Sequence, residues 1–150
     1  MKRDVFITIK GIQALSPDSE RDEVELMTVG TLTTRDKQIL LTYQESEASG
    51  FAGHTTTLTV EGQRQVIMER KGEANTQLIL EKGKRHLCHY ATVYGDMMIG
   101  VDTNEILSTL SPSGGELHLK YTLDINASLA SINELHINVK ECETTHESLS

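Results

Sequence analysis

Apolar and polar residues alternate along most of the chain, and a period of two is typical of a β-strand with one buried face. Val5, Ile7 and Ile9 alternate in this way near the start, and the longest clean alternation runs over residues 117–125. Residues 104–110 fit a short strand and a helical turn equally well. The pattern therefore predicts about ten short strands. The other alternating runs are residues 24–28, 37–45, 55–60, 66–70, 78–80, 88–92, 97–101 and 133–139.

Short glycine-bearing turns separate these runs, as tight hairpins require. Residues 61–63, 71–72, 82–84 and 95–96 are of this kind, and residues 111–115 form a longer turn. Consecutive hairpins with one apolar face predict an antiparallel meander that closes into a barrel, because closure needs no crossover and leaves no exposed edge. We therefore expect an all-β fold of about eight to ten strands, enclosing a side-chain core or one small ligand.

The composition supports a single all-β domain over residues 1–150, with residues 142–150 as a frayed tail. The chain contains 17 threonines among its 150 residues, and β-branched residues favour strands. Aromatic residues make up only 4%, and tryptophan is absent. Many threonines and few aromatic residues predict a small, partly polar interior rather than a pocket for a large apolar ligand.

The net charge of −8 and the absence of a strongly basic cluster argue against nucleic acid and against an anionic membrane as partners. The densest acidic run, residues 18–25, is predicted to be a solvated loop. We expect no signal peptide, because the first residues lead directly into an alternating strand, and no apolar run is long enough to span a bilayer. The two cysteines, Cys88 and Cys142, are not expected to form a disulfide scaffold. These features predict a cytoplasmic protein; they predict no oligomeric state.

Several short motifs follow one another in order along nearly the whole chain. Together they resemble the YwiB-like family, bacterial domains of unknown function with a calycin-like β-barrel of the lipocalin superfamily. The resemblance implies this fold and a cytoplasmic location. It implies no activity, and it suggests ligand binding only by analogy. The Gly-x-Trp motif typical of lipocalins is absent. The motifs are Tyr-Gln-Glu at 43–45, residues 55–59, 66–72 and 90–95, Gly-Glu-Leu at 115–117 followed by Tyr-Thr-Leu at 121–123, and residues 133–137.

A few polar residues continue the inward faces of the predicted strands, and they are the candidate ligand-binding residues. A buried arginine or glutamate is costly unless it is paired, so an inward Arg70 requires a partner, for which Glu45 is the candidate. Three alternatives remain: the two form a structural cap or ion pair at the barrel mouth, Arg70 holds the carboxylate or phosphate of a ligand, or the side chains are simply exposed. The loop at 46–53 is either a lid carrying Phe51 or an ordinary hairpin loop. The candidate ligand-binding residues are Tyr43, Glu45, Arg70, Tyr90, Thr92 and Tyr121.

No motif for a cofactor, a metal or a catalytic nucleophile stands out. His86 and Cys88 share a strand face, but no second close pair of ligands accompanies them. His118 and His136 fall on outward faces. There is no Gly-x-Ser-x-Gly elbow and no phosphate-binding glycine loop, and Cys88 is expected to be an inert core thiol. We therefore predict no catalytic residue, no cofactor and no metal.

Three hypotheses for the function remain. The first is non-enzymatic binding of a small amphipathic or anionic molecule in the barrel mouth. The second is a regulatory or protein-interaction module that uses the outer surface. The third is an enzyme with Glu45 as acid or base, because a carboxylate near tyrosine and arginine can have a tuned pKa.

Overall fold

The computed structural model describes residues 2–45, 52–72, 75–92 and 95–142. Ten antiparallel strands make up almost all of this part of the chain. They are β1 (Lys2–Ala14), β2 (Arg21–Arg35), β3 (Gln38–Gln44), β4 (Thr55–Glu61), β5 (Gln65–Lys71), β6 (Thr76–Glu81), β7 (Arg85–Thr92), β8 (Gly95–Ser108), β9 (Gly114–Ile125) and β10 (Ser128–Glu141).

The strands form one closed barrel in chain order, each pairing with its neighbours in sequence. Closure comes from β10, which pairs with β1 over a long register that includes Ile7 opposite Val139. The predicted all-β meander barrel is therefore confirmed. No helix among the described residues is long and apolar enough to cross a membrane.

The core is built from the apolar half of each alternation. Val5, Ile7 and Ile9 of β1 are buried, whereas the intervening Phe6 is exposed on the outer surface. Burial of such side chains is the main stabilising contribution, at about 25 cal/mol per Å² of apolar surface. The largest fully buried side chains include Ile7, Leu32, Leu41, Leu58, Leu80, Ile106, Leu117, Leu119 and Ile137.

The ambiguous segment at 104–110 continues β8 as far as Ser108. A β-bulge shifts the pairing with β9 between Thr103 and Glu105, so that Asn104 is the extra residue. The inward face passes from Thr103 to Ile106 because an extra residue reverses the alternation. The bulge thus explains why the pattern here resembled a helical turn.

The prediction of a solvated loop for the acidic run 18–25 is wrong for its second half. Strand β2 begins at Arg21, which lies opposite Ala14 of β1, and Glu23 and Glu25 are exposed positions of that strand. Lys10 of β1 lies 3.3 Å from Glu23 across the pair. Acidic residues on the outward face of a strand resemble a loop in the sequence as long as the strand that pairs with them is not known. Pairing with β1 places residues 21–25 in a strand.

Different strand ends lie at the two ends of the barrel. At one end, here called the mouth, the odd-numbered strands end and the even-numbered strands begin. The far end holds the start of β1 and the end of β10, where the Cys142 amide donates to the Asp4 carbonyl oxygen at 3.1 Å. Residue 142 is thus hydrogen-bonded, and the rest of the predicted tail, residues 143–150, lies outside the described residues.

Candidate functional site

Glu45 is a buried carboxylate at the mouth. It directly follows β3 and continues that strand's inward face, with only 3% of its side chain exposed. Its carboxylate accepts a hydrogen bond from the hydroxyl of Thr56 and is within electrostatic reach of Tyr43, and its backbone amide donates to the His54 carbonyl oxygen at 2.9 Å. A buried charge is costly without hydrogen-bond partners. The pairing of β3 with β4 supplies them, because it brings Thr56 and the His54 carbonyl next to Glu45.

Arg70 completes this group of polar side chains from β5. Its Nε lies 3.4 Å from Oε2 of Glu45, and 18% of its side chain is exposed. The predicted pairing of the two residues is confirmed. A guanidinium presents several N–H donors in a planar fork, and this geometry suits the binding of carboxylates.

Strand register brings these residues into one row. Residues that face one another across successive strand pairs share a barrel face, and the pairs from β3 to β7 align polar side chains in this way. The sequence had already identified three of the row's members but not their alignment. The row runs Tyr43, Thr56, Arg70, Thr76, Tyr90.

The tyrosine hydroxyls near this row keep their protons. Burial, and then the negative charge of Glu45, raises the pKa of Tyr43 well above its usual range, and the charge of Arg70 only partly offsets this. Burial likewise raises the pKa of Tyr121, which lies on β9 and is within electrostatic reach of Arg70 and Tyr90. Both phenols therefore remain neutral hydrogen-bond donors and acceptors at physiological pH.

A cavity of about 120 Å³, here called the mouth cavity, lies beside the ion pair. Polar side chains occupy one side, and aliphatic side chains of β1, β2 and β10 occupy the rest. These aliphatic residues do not stand out in the sequence, because each fits an ordinary core position. The signal that could have found them is Gly11, which interrupts the inward alternation of β1. The lining residues are Ile9, Gly11, Val24, Leu26, Tyr43, Glu45, Arg70 and Leu135.

A second cavity of about 150 Å³, here called the rim cavity, adjoins the first. Its polar side includes Asn133, which is buried, accepts a hydrogen bond from Gln13 at 3.2 Å and donates one to Ser131 at 3.0 Å. Tyr121 also lines it, so this predicted residue lies at the rim cavity rather than at the mouth cavity. The remaining lining residues are Gly11, Ile12, Gln13, Asp22, Val24, Glu134 and Leu135.

Of the other candidates, Tyr90 is half-buried and packs against the core. Phe51, the predicted lid residue, lies outside the described residues, and so does the side chain of Thr92. The structure therefore brings together Tyr43, Glu45 and Arg70 at the mouth cavity.

The residues considered for metal binding or nucleophilic chemistry lie elsewhere. Burial raises the pKa of the Cys88 thiol, whose sulfur accepts a hydrogen bond from the Ile79 amide at 3.3 Å. The rings of His118 and His136 meet edge-to-face at 4.6 Å between their centroids, on partly exposed outward positions of β9 and β10. Across the described residues, no three His, Cys, Asp or Glu side chains are grouped so that they could hold a metal ion.

Comparison with known proteins places the chain in a family. The model of the DUF1934 family, described as a domain of unknown function, matches residues 7–137. The chain belongs to this family. This DUF1934 member is 19% identical over 137 residues to the uncharacterized beta-barrel protein YwiB of Bacillus subtilis (strain 168), covering 91% of this chain and 94% of that protein.

Comparison with solved structures finds the same protein. The crystal structure of the ywiB protein from Bacillus subtilis superposes with a TM-score of 0.79 at 18% identity, covering 94% of this chain and 93% of that one. At this identity the similarity shows the fold. The resemblance drawn from the motif order is confirmed, while the calycin-like classification stays a prediction.

Proposed function

We propose that this DUF1934 protein binds a small amphipathic molecule in the barrel mouth and does so without catalysis. The observation that carries the proposal is the mouth cavity, in which an aliphatic wall faces a buried group of Tyr43, Glu45 and Arg70. Ligand sites are typically apolar concavities with a few placed polar groups.

The size of the cavity limits the ligand. Its volume of about 120 Å³ is slightly below the roughly 150 Å³ of an apolar cavity that accommodates benzene. Drug-sized ligands occupy about 300–1,000 Å³. The group bound here is therefore small, about the size of a short aliphatic chain with a polar end.

Arg70 supports an anionic end on that ligand. It lines the cavity, and guanidinium groups bind carboxylates more strongly than neutral donors do. Glu45 offsets part of its charge, so the site favours one carboxylate with an apolar body over a multiply charged anion. The neutral hydroxyl of Tyr43 can add a further hydrogen bond.

Native mass spectrometry on protein purified from the cells that naturally make it tests the proposal. We expect an additional mass that dissociates on denaturation. The double variant Glu45→Gln/Arg70→Met should lose this mass. The matched double variant Lys10→Met/Glu23→Gln removes an outer-surface ion pair with the same change in charges and should keep it.

Two results would overturn the proposal. One is a bare chain under gentle conditions together with unchanged NMR spectra in a metabolite extract. The other is full retention of the bound mass by Glu45→Gln/Arg70→Met. Chemical conversion of the released molecule by fresh protein would instead support the enzyme hypothesis for Glu45.

The protein-interaction hypothesis stays a prediction. Phe6 and Val29 face each other on the outside of β1 and β2, and Met27 lies beside them with 78% of its surface exposed. These three residues form an exposed apolar patch, but nothing in the described part of the structure indicates what covers it.

A further inference from the structure

The mouth cavity and the rim cavity meet at shared residues. Gly11, Val24 and Leu135 line both. These three come from β1, β2 and β10, which are neighbours around the barrel, and Gly11 lies opposite both of the other two. The two cavities are therefore adjoining parts of one groove that passes over Gly11.

Gly11 keeps this groove open because it has no side chain. A Cβ built there would lie 3.6 Å from Cδ2 of Leu135 and 4.0 Å from the Val24 carbonyl oxygen, which is ordinary van der Waals contact. The backbone would thus accept a larger residue, and the space that a side chain would occupy is open. Every earlier inward position of β1 from Val5 onward carries a buried aliphatic side chain.

The two ends of the groove offer different chemistry. Arg70 and Tyr43 line the mouth-cavity end. The rim-cavity end carries the amides of Gln13 and Asn133, together with Tyr121 and the carboxylates of Asp22 and Glu134, which would repel a second carboxylate. Between them the surface is aliphatic. An arginine at one end suits a carboxylate, and side-chain amides at the other suit a hydroxyl or amide, since they can both donate and accept.

We propose that the ligand spans both cavities: its carboxylate binds at Arg70, a short aliphatic chain crosses Gly11, and a terminal hydroxyl or amide binds at Gln13 and Asn133. This inference rests on the proposed binding function and adds the class of ligand, an ω-polar aliphatic carboxylate. Gly11 is then the residue that determines ligand length.

NMR titration of the isotopically labelled full chain with three probes tests this inference. The probes are butanoate, which fits the mouth cavity, octanoate, which is long enough to cross Gly11, and ω-hydroxyoctanoate, which adds the terminal hydroxyl. Each buried methylene should strengthen binding about fourfold. We expect affinity to rise from butanoate to octanoate and again to ω-hydroxyoctanoate.

The variant Gly11→Val should block the crossing. We expect octanoate and ω-hydroxyoctanoate to bind this variant no more tightly than butanoate does, since a side chain at this position fills the crossing between the two cavities. The probes are compared within the same variant, because Gly11 also lines the mouth cavity. Thr8→Val is the matched control, because it alters an outward position of the same strand and should leave all three affinities unchanged.

The outcomes separate the two proposals. If butanoate binds at the mouth but the longer probes gain nothing, or if Gly11→Val keeps their gain, the spanning ligand is excluded and the proposed function stands. If none of the probes perturbs the signals of the mouth residues, the proposed binding of amphipathic carboxylates is itself excluded.

Discussion

Glu45 and Arg70 show how opposite charges are accommodated inside a small barrel. The carboxylate is almost fully buried and accepts hydrogen bonds from the Thr56 hydroxyl and from Arg70 Nε. A buried pair of this kind adds little net stability compared with apolar residues of similar volume, but removing one partner is costly. Net stability alone therefore does not explain why a charged pair occupies this position.

Urea denaturation of charge-removing variants at this pair gives the first prediction. Arg70→Met leaves a buried carboxylate without its cation and should lower the free energy of unfolding by about 3 kcal/mol. The double variant Glu45→Gln/Arg70→Met should recover most of that loss. Equal destabilisation by the single and double variants would show that Arg70 acts through packing instead of charge.

At the scale of strands, two glycines of neighbouring strands have opposite roles. Gly30 of β2 is tightly enclosed: a Cβ there would lie 2.2 Å from the Thr42 carbonyl oxygen and 2.7 Å from Cδ1 of Ile7. Gly11 of β1 has room for the same group. The first glycine permits close approach of β2 to β3, whereas the second leaves a cavity.

We therefore expect contrasting effects of alanine at these positions. Gly30→Ala should lower the free energy of unfolding by about 2–3 kcal/mol, because a backbone oxygen cannot move aside easily. Gly11→Ala should be neutral or stabilising by up to about 1 kcal/mol, since it restricts the unfolded chain. Thermal unfolding of the two variants measures the difference, and a strongly destabilised Gly11→Ala would mean that the groove is closed.

An ion pair on the outer surface joins three strands. Arg85 of β7 reaches over Gly100 of β8 to Asp124 of β9, with Nη2 to Oδ1 at 2.6 Å and Nε to Oδ2 at 3.1 Å. A Cβ at Gly100 would lie 2.4 Å from Nη2 of Arg85, so the glycine makes this path possible. Hydrogen bonds from Arg85, together with its charge, hold the pKa of Asp124 below its usual range.

This lowered pKa predicts a dependence of stability on acid. Because the folded state favours the ionised form of Asp124, the contribution is complete above its unfolded pKa and disappears as the pH falls below about 4. Asp124→Asn should therefore lower the free energy of unfolding at neutral pH. The free energy of unfolding of this variant should also change less as the pH falls. Gly100→Ala should have the same effect, and combining the two should cost no more than either change separately. Urea titrations between neutral and acidic pH measure this.

For the whole molecule, closure of the barrel depends on pairing between the two chain ends. Strands β1 and β10 are far apart in sequence, whereas each hairpin such as β4–β5 is local. Loop-closure entropy must be overcome before the distant strands can meet, so topologies of this kind fold slowly.

Folding kinetics test whether the local β4–β5 hairpin forms before β1 and β10 pair. Ile137→Val on β10 should chiefly accelerate unfolding and give a φ-value near zero, while Val66→Ala in the β4–β5 hairpin should slow folding and give a higher value. Stopped-flow measurements in urea provide both rates. A φ-value for Ile137 equal to that of Val66 would place barrel closure in the transition state.

The sequence by itself determined the strands, the faces that they bury and the class of fold. Alternation fixes which side chains point inward, which is why Tyr43, Glu45 and Arg70 could be proposed and why the pairing of Glu45 with Arg70 followed from the cost of buried charge. It did not reveal that β2 begins within the acidic run, since outward acids resemble a loop until their partner strand is known.

Only the tertiary structure decided the register between strands and the shape of the space that they enclose. Register aligned Tyr43, Thr56 and Arg70 in one row, and closure brought Gly11 and Leu135 to the other side of the same cavity. The physical reason is that a period of two sets the orientation of each side chain within its own strand. The stagger between strands and the contacts across the barrel depend on every strand at once.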